Sequence, residues 1–330
     1  MENNMDRLIV SPSPHIHSGD TIERNMYAVL IALLPAVLVG LSQFGLGALI
    51  VILVSIGFCA LTEWLIAKYL YKQDYNSLTD GSALITGLLL AMNVPSNLSW
   101  WIVAIGAVVA IGVGKMSFGG LGGNIFNPAL VGRVFLLIAY PAQMTTWPTT
   151  GQLMSYTDAT TGATPLGIMK GVLNGAPGVS LSDLPSAWNL FIGLNPGSLG
   201  EISAAALLLG LIYLLYKRVI TWHIPVSILV SALVTASVIY LIDPTHFVAP
   251  YYHLLTGGMM LGAVFMATDY VSSPMTKSGQ LIYGCLIGML TVIIRSFGAY
   301  PEGMSFAILI MNGFTPLINM YTSPKHFGDR

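Results

Sequence analysis

The sequence predicts an all-α polytopic membrane protein with ten transmembrane helices, arranged as two inverted five-helix repeats with broken helices. Three observations lead to this fold class. Hydrophobic residues make up 55% of the chain and charged residues 8%, whereas soluble domains carry about 25% charged residues. Ten apolar runs are long enough, or nearly long enough, to cross a bilayer. A short sequence element of the first half recurs in the second half.

The apolar runs set the predicted boundaries of the spanning helices. They cover residues 26–43, 47–68, 81–94, 99–114, 125–140, 200–216, 223–241, 252–267, 279–296 and 304–320. Several, notably the third and the fifth, are shorter than the usual length of about 20 residues. The first 25 residues lack the basic start and apolar core of a signal peptide, so the first helix is expected to direct insertion.

The same runs divide the chain into five parts. We expect a cytoplasmic N-terminal segment at 1–25, a first five-helix repeat at 26–140, an outer loop at 141–199, a second five-helix repeat at 200–320 and a cytoplasmic tail at 321–330. An odd number of crossings in each half forces the second half to enter the membrane from the opposite side, as in many transporters.

The distribution of basic residues predicts the orientation. With ten crossings, ten basic residues fall on the N-terminal side: Arg7, Arg24, Lys68, Lys72, Lys115, Lys217, Arg218, Lys277, Lys325 and Arg330. Lys170 and Arg295 fall on the other side, and Arg133 lies inside a span. Because cytoplasmic loops are enriched in Lys and Arg, both termini are expected in the cytoplasm and the 141–199 loop outside.

The repeat is visible as short matching strings. Leu84-Ile85-Thr86-Gly87 recurs as Leu254-Leu255-Thr256-Gly257, 170 positions later. The stretch 122–126 has a looser echo at 301–306. Chance matching of Gly- and Leu-rich strings is the alternative explanation.

Glycine and proline within the spans predict broken helices. In the first half, the run at 81–94 stops at Asn93-Val94-Pro95, and a glycine-rich stretch at 118–124 precedes Asn127-Pro128. In the second half, Thr256-Gly257-Gly258 opens a helix, and the stretch at 312–316 breaks the last one. Backbone groups freed at such breaks must face protein, water or a ligand, because hydrocarbon cannot satisfy them.

Composition also excludes several functions. A net charge of −1 leaves nothing to neutralise a phosphate ladder, so no nucleic-acid partner is expected. Cys59 and Cys285 lie far apart in apolar segments and form neither a CxxC pair nor a cluster site by themselves. Near the predicted cytoplasmic helix ends, solvated or helix-capping carboxylates are expected at Glu63, Asp80 and Asp269. Five tryptophans suit the interfacial aromatic belts: Trp100, Trp101, Trp147, Trp188 and Trp222.

A polar stretch in the predicted outer loop, residues 158–166, has the sequence Asp-Ala-Thr-Thr-Gly-Ala-Thr-Pro-Leu. Clusters of Ser, Thr, Gly and Pro between apolar runs usually form turns. Small residues and neighbouring hydroxyl groups also make an open segment that a modifying enzyme could take into its active site. Spacing alone favours the turn.

The stretch resembles the flavinylation motif of flavin transferases, Asp-x-x-(Ser/Thr)-Gly-Ala-Thr. Asp158, Thr161, Gly162, Ala163 and Thr164 fill the motif without a departure. In that family the last threonine is joined to FMN through a phosphoester, so the resemblance implies that Thr164 carries the bond.

The rest of the chain is similar to the NqrB/RnfD family of membrane subunits. The likeness covers nearly all 330 residues and includes Ser13-Pro14-His15 and the stretch Gly-Gly-Asn-Ile-Phe-Asn-Pro-Ala-Leu at 122–130. It implies a urea-transporter-like fold and a subunit of the Rnf complex, an ion-translocating ferredoxin:NAD oxidoreductase that couples electron transfer to Na+ or H+ transport.

The resemblance also implies cofactors and partners. FMN is expected on Thr164, and relatives of this family also hold a non-covalent riboflavin, for which no single residue stands out here. The expected partners are the other Rnf subunits (A, B, C, E and G), a flavin transferase for maturation and membrane lipid, in a prokaryotic cytoplasmic membrane. The chain has neither a Rossmann fingerprint nor a nucleotide loop, so NAD is expected to bind elsewhere.

Four further residues have two interpretations each. Asn124 and Asn127 flank a helix start, where Asn is a favoured N-cap; the resemblance favours hydrogen bonds from their amides to a flavin ring. Arg133 lies within an apolar span, where a charge costs at least ~2.5–3.5 kcal/mol on insertion scales, so it needs an anion. That anion is either a structural carboxylate or a flavin. Arg295, near the outer end of its helix, could snorkel to the interface or stabilise a reduced flavin.

A second function remains open from the sequence. The inverted repeat and the scarcity of charges suit a solute channel or permease of urea-transporter-like fold without a redox role. The intact motif at 158–164 and its outward placement favour the electron carrier.

Overall fold

The computed structural model describes residues 21–72, 77–176, 178, 180–244 and 246–324. Within these residues the chain forms helices and turns without a strand, apart from one isolated bridge between Pro148 and Thr161. Five helical segments are long and apolar enough to cross a membrane: Ile22–Leu70, Trp100–Phe118, His223–Ile242, Lys277–Phe297 and Met304–Thr322. The chain is therefore a polytopic membrane protein. Ser13-Pro14-His15 and most of the two predicted terminal segments lie outside the described residues.

The first half contains four helices. They are α1 (Ile22–Leu65), which a π-helical turn extends to Leu70, α2 (Ser82–Met92), α3 (Trp100–Gly112) and α4 (Pro128–Ala139). The predicted outer loop contains three short helices, α5 (Pro141–Met144), α6 (Pro165–Leu173) and α7 (Ala187–Ile192).

The second half contains six helices. They are α8 (Ala204–Tyr216), α9 (His223–Ile242), α10 (Pro250–Leu255), α11 (Met259–Leu261), α12 (Lys277–Phe297) and α13 (Met304–Thr322). A π-helical turn, Gly262–Met266, continues α11. Every predicted apolar run is thus largely helical.

The long helix α1 doubles back at Gly45, where φ is +51° and ψ is −122°. Gly81 approaches Met26 near the start of α1, whereas Ser82 binds Lys115, which binds Glu63 near its end. In a straight helix those two parts of α1 would lie about 55 Å apart, for 37 residues at about 1.5 Å each. The two predicted spans at 26–43 and 47–68 are therefore antiparallel neighbours.

Two of the predicted helix breaks are present. Helix α2 ends at Met92, with Asn93 as its C-cap. Helix α10 ends at Thr256, and Gly257 has a φ of +61° before Gly258 starts α11. The recurring strings at 84–87 and 254–257 therefore occupy different conformations, since the first lies inside α2.

The predicted break at 312–316 is wrong, because α13 continues from Met304 to Thr322 with Pro316 inside it. Proline removes one backbone donor, but membrane helices tolerate it where neighbouring groups bind the freed backbone. Thr315 donates its hydroxyl to the Met311 carbonyl (3.2 Å) and to the Ser272 carbonyl of the neighbouring segment (2.8 Å).

Close helix packing depends on small residues. Gly284 and Gly288 lie one turn apart on α12 and face α9. A Cβ atom at these positions would lie 1.8 Å from Ser227 Oγ and 2.0 Å from Ser231 Oγ. Lipid offers no hydrophobic drive between helices, so such small-residue contacts let two helices approach closely enough to gain dispersion energy.

The bundle has two different ends. At one end, which we call the basic end, lie the start of α1, the Glu63–Lys115 pair and the start of α2. At the opposite end, the loop end, the 141–199 segment is bound to the Gly45 turn: Gly151 N–H donates to the Gln43 carbonyl and Leu46 N–H to the Leu153 carbonyl. The expected separation of this loop from most of the basic residues is therefore a feature of the fold.

Candidate functional site

Thr164 is the N-cap of α6. Its backbone is extended (φ −71°, ψ 157°), Pro165 occupies the first helical position, and its side-chain oxygen accepts a hydrogen bond from Gly167 N–H at 3.0 Å. Threonine before proline favours this start, because proline fixes φ and lacks the donor that a helix start leaves unpaired. The Thr164 hydroxyl is consequently fixed at the N-terminus of a nine-residue helix.

The residues before Thr164 form a tight loop. Asp158 accepts a hydrogen bond from Tyr156 N–H, Thr161 lies exposed at the isolated bridge, and Gly162 N–H donates to the Trp147 carbonyl at 2.9 Å. The expected turn is therefore present, and the modification motif lies within it.

Gly162 has no room for a side chain. An added Cβ atom would lie 2.9 Å from Thr149 Cγ2 and 3.3 Å from Pro196 Cγ, whereas the next residue, Ala163, is exposed. The motif glycine thus lets the loop approach the segment that precedes α8.

Two side chains that the sequence did not single out hold this loop. Gln152 binds Thr160 through both of its amide atoms, donating to its carbonyl and accepting from its N–H, each at 2.8 Å. Tyr156 Oη donates to the Leu98 carbonyl at 2.7 Å. Burial raises the pKa of Tyr156, so its phenol stays protonated as a donor. Only the fold shows that Leu98 comes close enough to accept this bond.

A cavity of about 400 Å3 opens beside Thr164. Its wall combines three motif residues with apolar, aromatic and charged side chains from α4, α5, α6 and the start of α13. The lining residues are Leu137, Met144, Thr145, Trp147, Gly162, Ala163, Thr164, Gly167, Lys170, Gly171, Asn174, Tyr300, Pro301 and Glu302.

Trp147 lies in this wall and is 7% exposed. The prediction that it belongs to an interfacial belt is wrong, because the outer loop folds over its ring. Lys170, six residues after Thr164 on α6, contributes a positive charge to the cavity and donates a hydrogen bond to the Gly298 carbonyl.

Arg133 is buried behind the cavity and is paired with Glu302. Its Nε donates to the Asn93 carbonyl at 3.1 Å, and it also binds Ser305. The anion that the sequence required is thus a carboxylate of the chain itself. Glu302 lines the cavity beside Thr164, whereas Arg133 does not, so Arg133 would act on a ligand there through Glu302.

Arg295 is 4% exposed, and the prediction that it snorkels to the interface is wrong. Its guanidinium donates to the carbonyls of His253 (2.7 Å) and Thr256 (3.0 Å). The physical reason is the break after α10, whose last carbonyls lack intrahelical donors and find them in this side chain.

Asn124 and Asn127 lie at the basic end, away from Thr164. The Asn127 side chain caps α4 by accepting from Ala129 N–H at 3.1 Å and donates to the Met266 carbonyl at 3.1 Å. Asn124 donates to the Phe126 carbonyl at 3.1 Å and faces Asp269. Asn127 also lines a smaller cavity of about 90 Å3. A single ligand joined to Thr164 would not meet these amides, because α4 separates the two cavities by roughly 15 Å, ten residues at about 1.5 Å each.

The basic end also corrects one expectation. Asp80 caps the start of α2 by accepting from Ser82 N–H at 2.8 Å, as predicted. Glu63 is neither solvated nor a cap, because its buried carboxylate pairs with Lys115. The fold closes the space around these helix ends, so a carboxylate there requires a cation.

Fold and site together define a polytopic membrane protein with a capped threonine beside a ligand-sized cavity at one end of the bundle. The chain belongs to the NQR2, RnfD, RnfE family, whose model matches residues 9–328.

Three curated relatives, each the D component of a membrane complex, cover nearly the whole chain. It is 44% identical to that of the Na+-translocating ferredoxin:NAD+ oxidoreductase complex of Acetobacterium woodii, over 97% of this chain and 95% of the relative. It is 42% identical to that of the proton-translocating ferredoxin:NAD+ oxidoreductase complex of Clostridium ljungdahlii, over 97% and 96%. It is 39% identical to that of the ion-translocating oxidoreductase complex of Erwinia tasmaniensis, over 97% and 98%.

Proposed function

We propose that the chain is a membrane subunit of an ion-translocating ferredoxin:NAD+ oxidoreductase complex and holds FMN through a phosphoester on Thr164. The observation that carries the flavin assignment is the position of the Thr164 hydroxyl, at a helix N-cap on the wall of a 400 Å3 cavity. When bound, the flavin supplies the electron-carrying chemistry, and the protein supplies attachment, position and electrostatics.

The start of α6 suits a phosphate group. A helix N-terminus presents unpaired N–H groups and a positive partial charge, both of which favour an anion. The Thr164 oxygen already lies 3.0 Å from Gly167 N–H, so a phosphate on that oxygen would lie next to these donors. Lys170 adds a full positive charge to the same cavity.

The cavity suits an aromatic ring system. Small-molecule sites typically measure about 300–1,000 Å3 and combine apolar walls with a few polar groups. Here Trp147, Leu137 and Tyr300 supply apolar and aromatic surface, and Lys170 and Glu302 supply charge. Covalent attachment keeps a small cofactor in a site that borders the aqueous phase.

A second flavin, non-covalent riboflavin, is proposed for the smaller cavity at the basic end. The support is that Asn127 lines it together with Thr86 and Thr268, which offers amide and hydroxyl groups to the polar edge of a flavin ring. Asn127 uses its side-chain oxygen as a helix cap, so its second amide N–H is the group available to a ligand.

The membrane arrangement is proposed as two inverted five-helix repeats of urea-transporter-like fold. The contacts of Gly210 with Ala32 and of Gly40 with Leu199 support it, because they make α8 antiparallel to the first part of α1. The two halves thus start from opposite ends of the bundle. The basic end is assigned to the cytoplasm of a prokaryotic inner membrane by the positive-inside rule.

The proposed partners are the other Rnf subunits (A, B, C, E and G), which would supply the NAD site, and a flavin transferase, which would modify Thr164 before or during assembly. A channel or permease without a redox role is the competing function, and a purified chain that carries no flavin would favour it.

The test separates loss of the hydroxyl group from loss of the helix cap. Thr164→Asn removes the attachment point but keeps an N-cap acceptor, whereas Thr164→Val removes both. The wild-type chain, produced with its flavin transferase and denatured on a gel, is expected to fluoresce under ultraviolet light. Both variants are expected to be dark, and Thr161→Val is the control that stays fluorescent.

Peptide mass spectrometry then identifies the modified residue. The peptide that contains Thr164 is expected to carry the mass of FMN minus water. Fluorescence that persists in Thr164→Asn would place the bond on another hydroxyl. A dark wild-type chain would remove the electron-carrier function and leave the channel.

A further inference from the structure

We propose that Glu201 and Asn93 form a sodium-ion site between the broken helices in the middle of the bundle. This inference goes beyond the flavin assignment and rests on the ion-translocating part of the proposed function. Glu201 lies in the segment before α8, is 9% exposed, and its Oε1 atom has no hydrogen-bond partner. A buried carboxylate oxygen without a donor is costly unless a proton, a water molecule or a cation meets it.

The neighbouring Asn93 presents an oxygen to Glu201 and no donor. Its amide nitrogen is already directed at the Leu89 carbonyl (2.7 Å) and Met266 Sδ (3.6 Å), which fixes the orientation of the amide. Asn93 Oδ1 and Glu201 Oε1 lie 3.9 and 3.5 Å from the same point, where a Cβ of Gly258 would be. Two acceptors that face each other repel unless a positively charged group lies between them.

Gly258 leaves the space between these oxygens open. It starts α11 after the break, and a side chain there would fill the gap that the two oxygens border. The C-terminus of α2 meets the same place, since Asn93 is its C-cap. Carbonyl ends of helices carry negative partial charge and favour cations, and half-helix ends coordinate Na+ in several transporter folds.

Two more buried oxygens of the same segment lack partners, Asn195 Oδ1 and Ser198 Oγ. The segment is fixed against α2 because Gly200 N–H donates to the Met92 carbonyl at 2.8 Å. Amide, hydroxyl and carboxylate oxygens are the ligands of hard cations. A proton needs a single acceptor, so several unpartnered oxygens favour a metal ion over a proton.

The charge of the site favours a monovalent ion. Glu201 is its single carboxylate, and among the described residues no three His, Cys, Asp or Glu side chains group to hold a metal. The surrounding charges come from α4, α12 and the start of α13: Arg133 is paired with Glu302, and Arg295 is bound to carbonyls of α10. With Glu201 ionised these four charges cancel.

Weak binding follows from this balance, because a sodium ion adds one uncompensated positive charge. Additional negative charge in the cavity beside Thr164 would strengthen binding, since Glu302 lies in the wall of that cavity and also beside Asn93 and Gly258. The site could therefore respond to the redox state of a ligand at the loop end, through electrostatics alone.

Sodium titration of the purified complex tests the site. NaCl replaces choline chloride at constant ionic strength, and bound 22Na+ is counted for wild type, Glu201→Gln and Asp80→Asn. Wild type is expected to bind one more ion per complex than Glu201→Gln, or to bind it at least tenfold more tightly. Asp80→Asn removes another buried carboxylate, one whose partners are satisfied, and is expected to match wild type.

Glu201→Asp keeps the charge and shortens the side chain, so it serves if Glu201→Gln fails to assemble. It is expected to bind sodium with altered affinity. Equal sodium binding in wild type and Glu201→Gln would overturn the proposal. So would an infrared band of a protonated carboxylic acid in wild type that disappears in Glu201→Gln and does not respond to sodium.

The flavin assignment is read separately in the same samples. Gel fluorescence of the denatured chain depends on Thr164 and is expected to be unchanged in all three Glu201 and Asp80 variants. Loss of that fluorescence in wild type would refute the flavin attachment, while the sodium titration would still decide the ion site.

Discussion

The buried pair between Glu63 and Lys115 should be strongly coupled, and replacing both residues should cost far less than replacing either one. Lys115 Nζ lies 2.8 and 2.7 Å from the two carboxylate oxygens of Glu63, and the side chains are 3% and 1% exposed. The pair joins the end of α1 to the end of α3, and Lys115 also binds Ser82 at the start of α2. The perturbations are Glu63→Met, Lys115→Met and the double replacement.

The size of the effect follows from distance and burial. At about 2.75 Å and an effective dielectric constant of about 20, the Coulomb attraction is about 6 kcal/mol, and desolvation of the two ions offsets several kcal/mol each. Removing one partner leaves the other charge buried, which typically costs about 3–5 kcal/mol, whereas an apolar pair of similar volume is close to neutral. We therefore expect each single variant to lose about 3–5 kcal/mol.

The assay is SDS-induced unfolding of the purified protein in mixed micelles, followed by circular dichroism for the wild type and all three variants. The double variant is expected to be at least about 3 kcal/mol more stable than the sum of the single losses predicts. Additive losses would show that the two charges do not stabilise one another, and the packing argument for this end of the bundle would fail.

Three further changes test the site. Gly162→Ala should reduce flavin attachment on the denaturing gel without preventing insertion, because its Cβ would lie 2.9 Å from Thr149 Cγ2; full fluorescence would contradict the close approach. Asn127→Ala should destabilise the bundle by about 1 kcal/mol through loss of a cap, whereas Asn127→Ser should retain most of it, again by SDS unfolding. Gly257→Ala should destabilise it by more than about 1 kcal/mol, because φ is +61° and L side chains disfavour that region; wild-type stability would refute the break.

The sequence was a good guide to the number of helical segments, because apolar runs have a direct physical cause: lipid accepts few charges over about 20 residues. It also located the breaks at Asn93 and Gly257, where C-cap and glycine chemistry is local. It failed at Pro316, since Thr315 and the carbonyl it binds at Ser272 are 43 residues apart. No local pattern shows that such a partner keeps a helix continuous.

For the site, the sequence located the motif at 158–164 and the interruption of the spans, but not the surroundings of either. Gln152, Trp147 and Glu302 come to the motif from different elements, and Glu201 meets Asn93 across 108 positions of the chain (201 − 93). Buried partners of this kind depend on long-range packing, and so does the pairing of Arg133.

The sequence by itself determined that the chain lies in a membrane, which end of the bundle is basic and which threonine the motif singles out. These properties follow from hydropathy, charge counts and short-range backbone preferences, each of which acts over a few neighbouring residues. Only the tertiary structure decided that Asn127 and Thr164 face separate cavities, that Arg295 binds the end of a broken helix, and that two acceptor oxygens meet over Gly258. Those facts depend on how helices distant in sequence pack, and the free energy of such packing is not encoded in any single stretch.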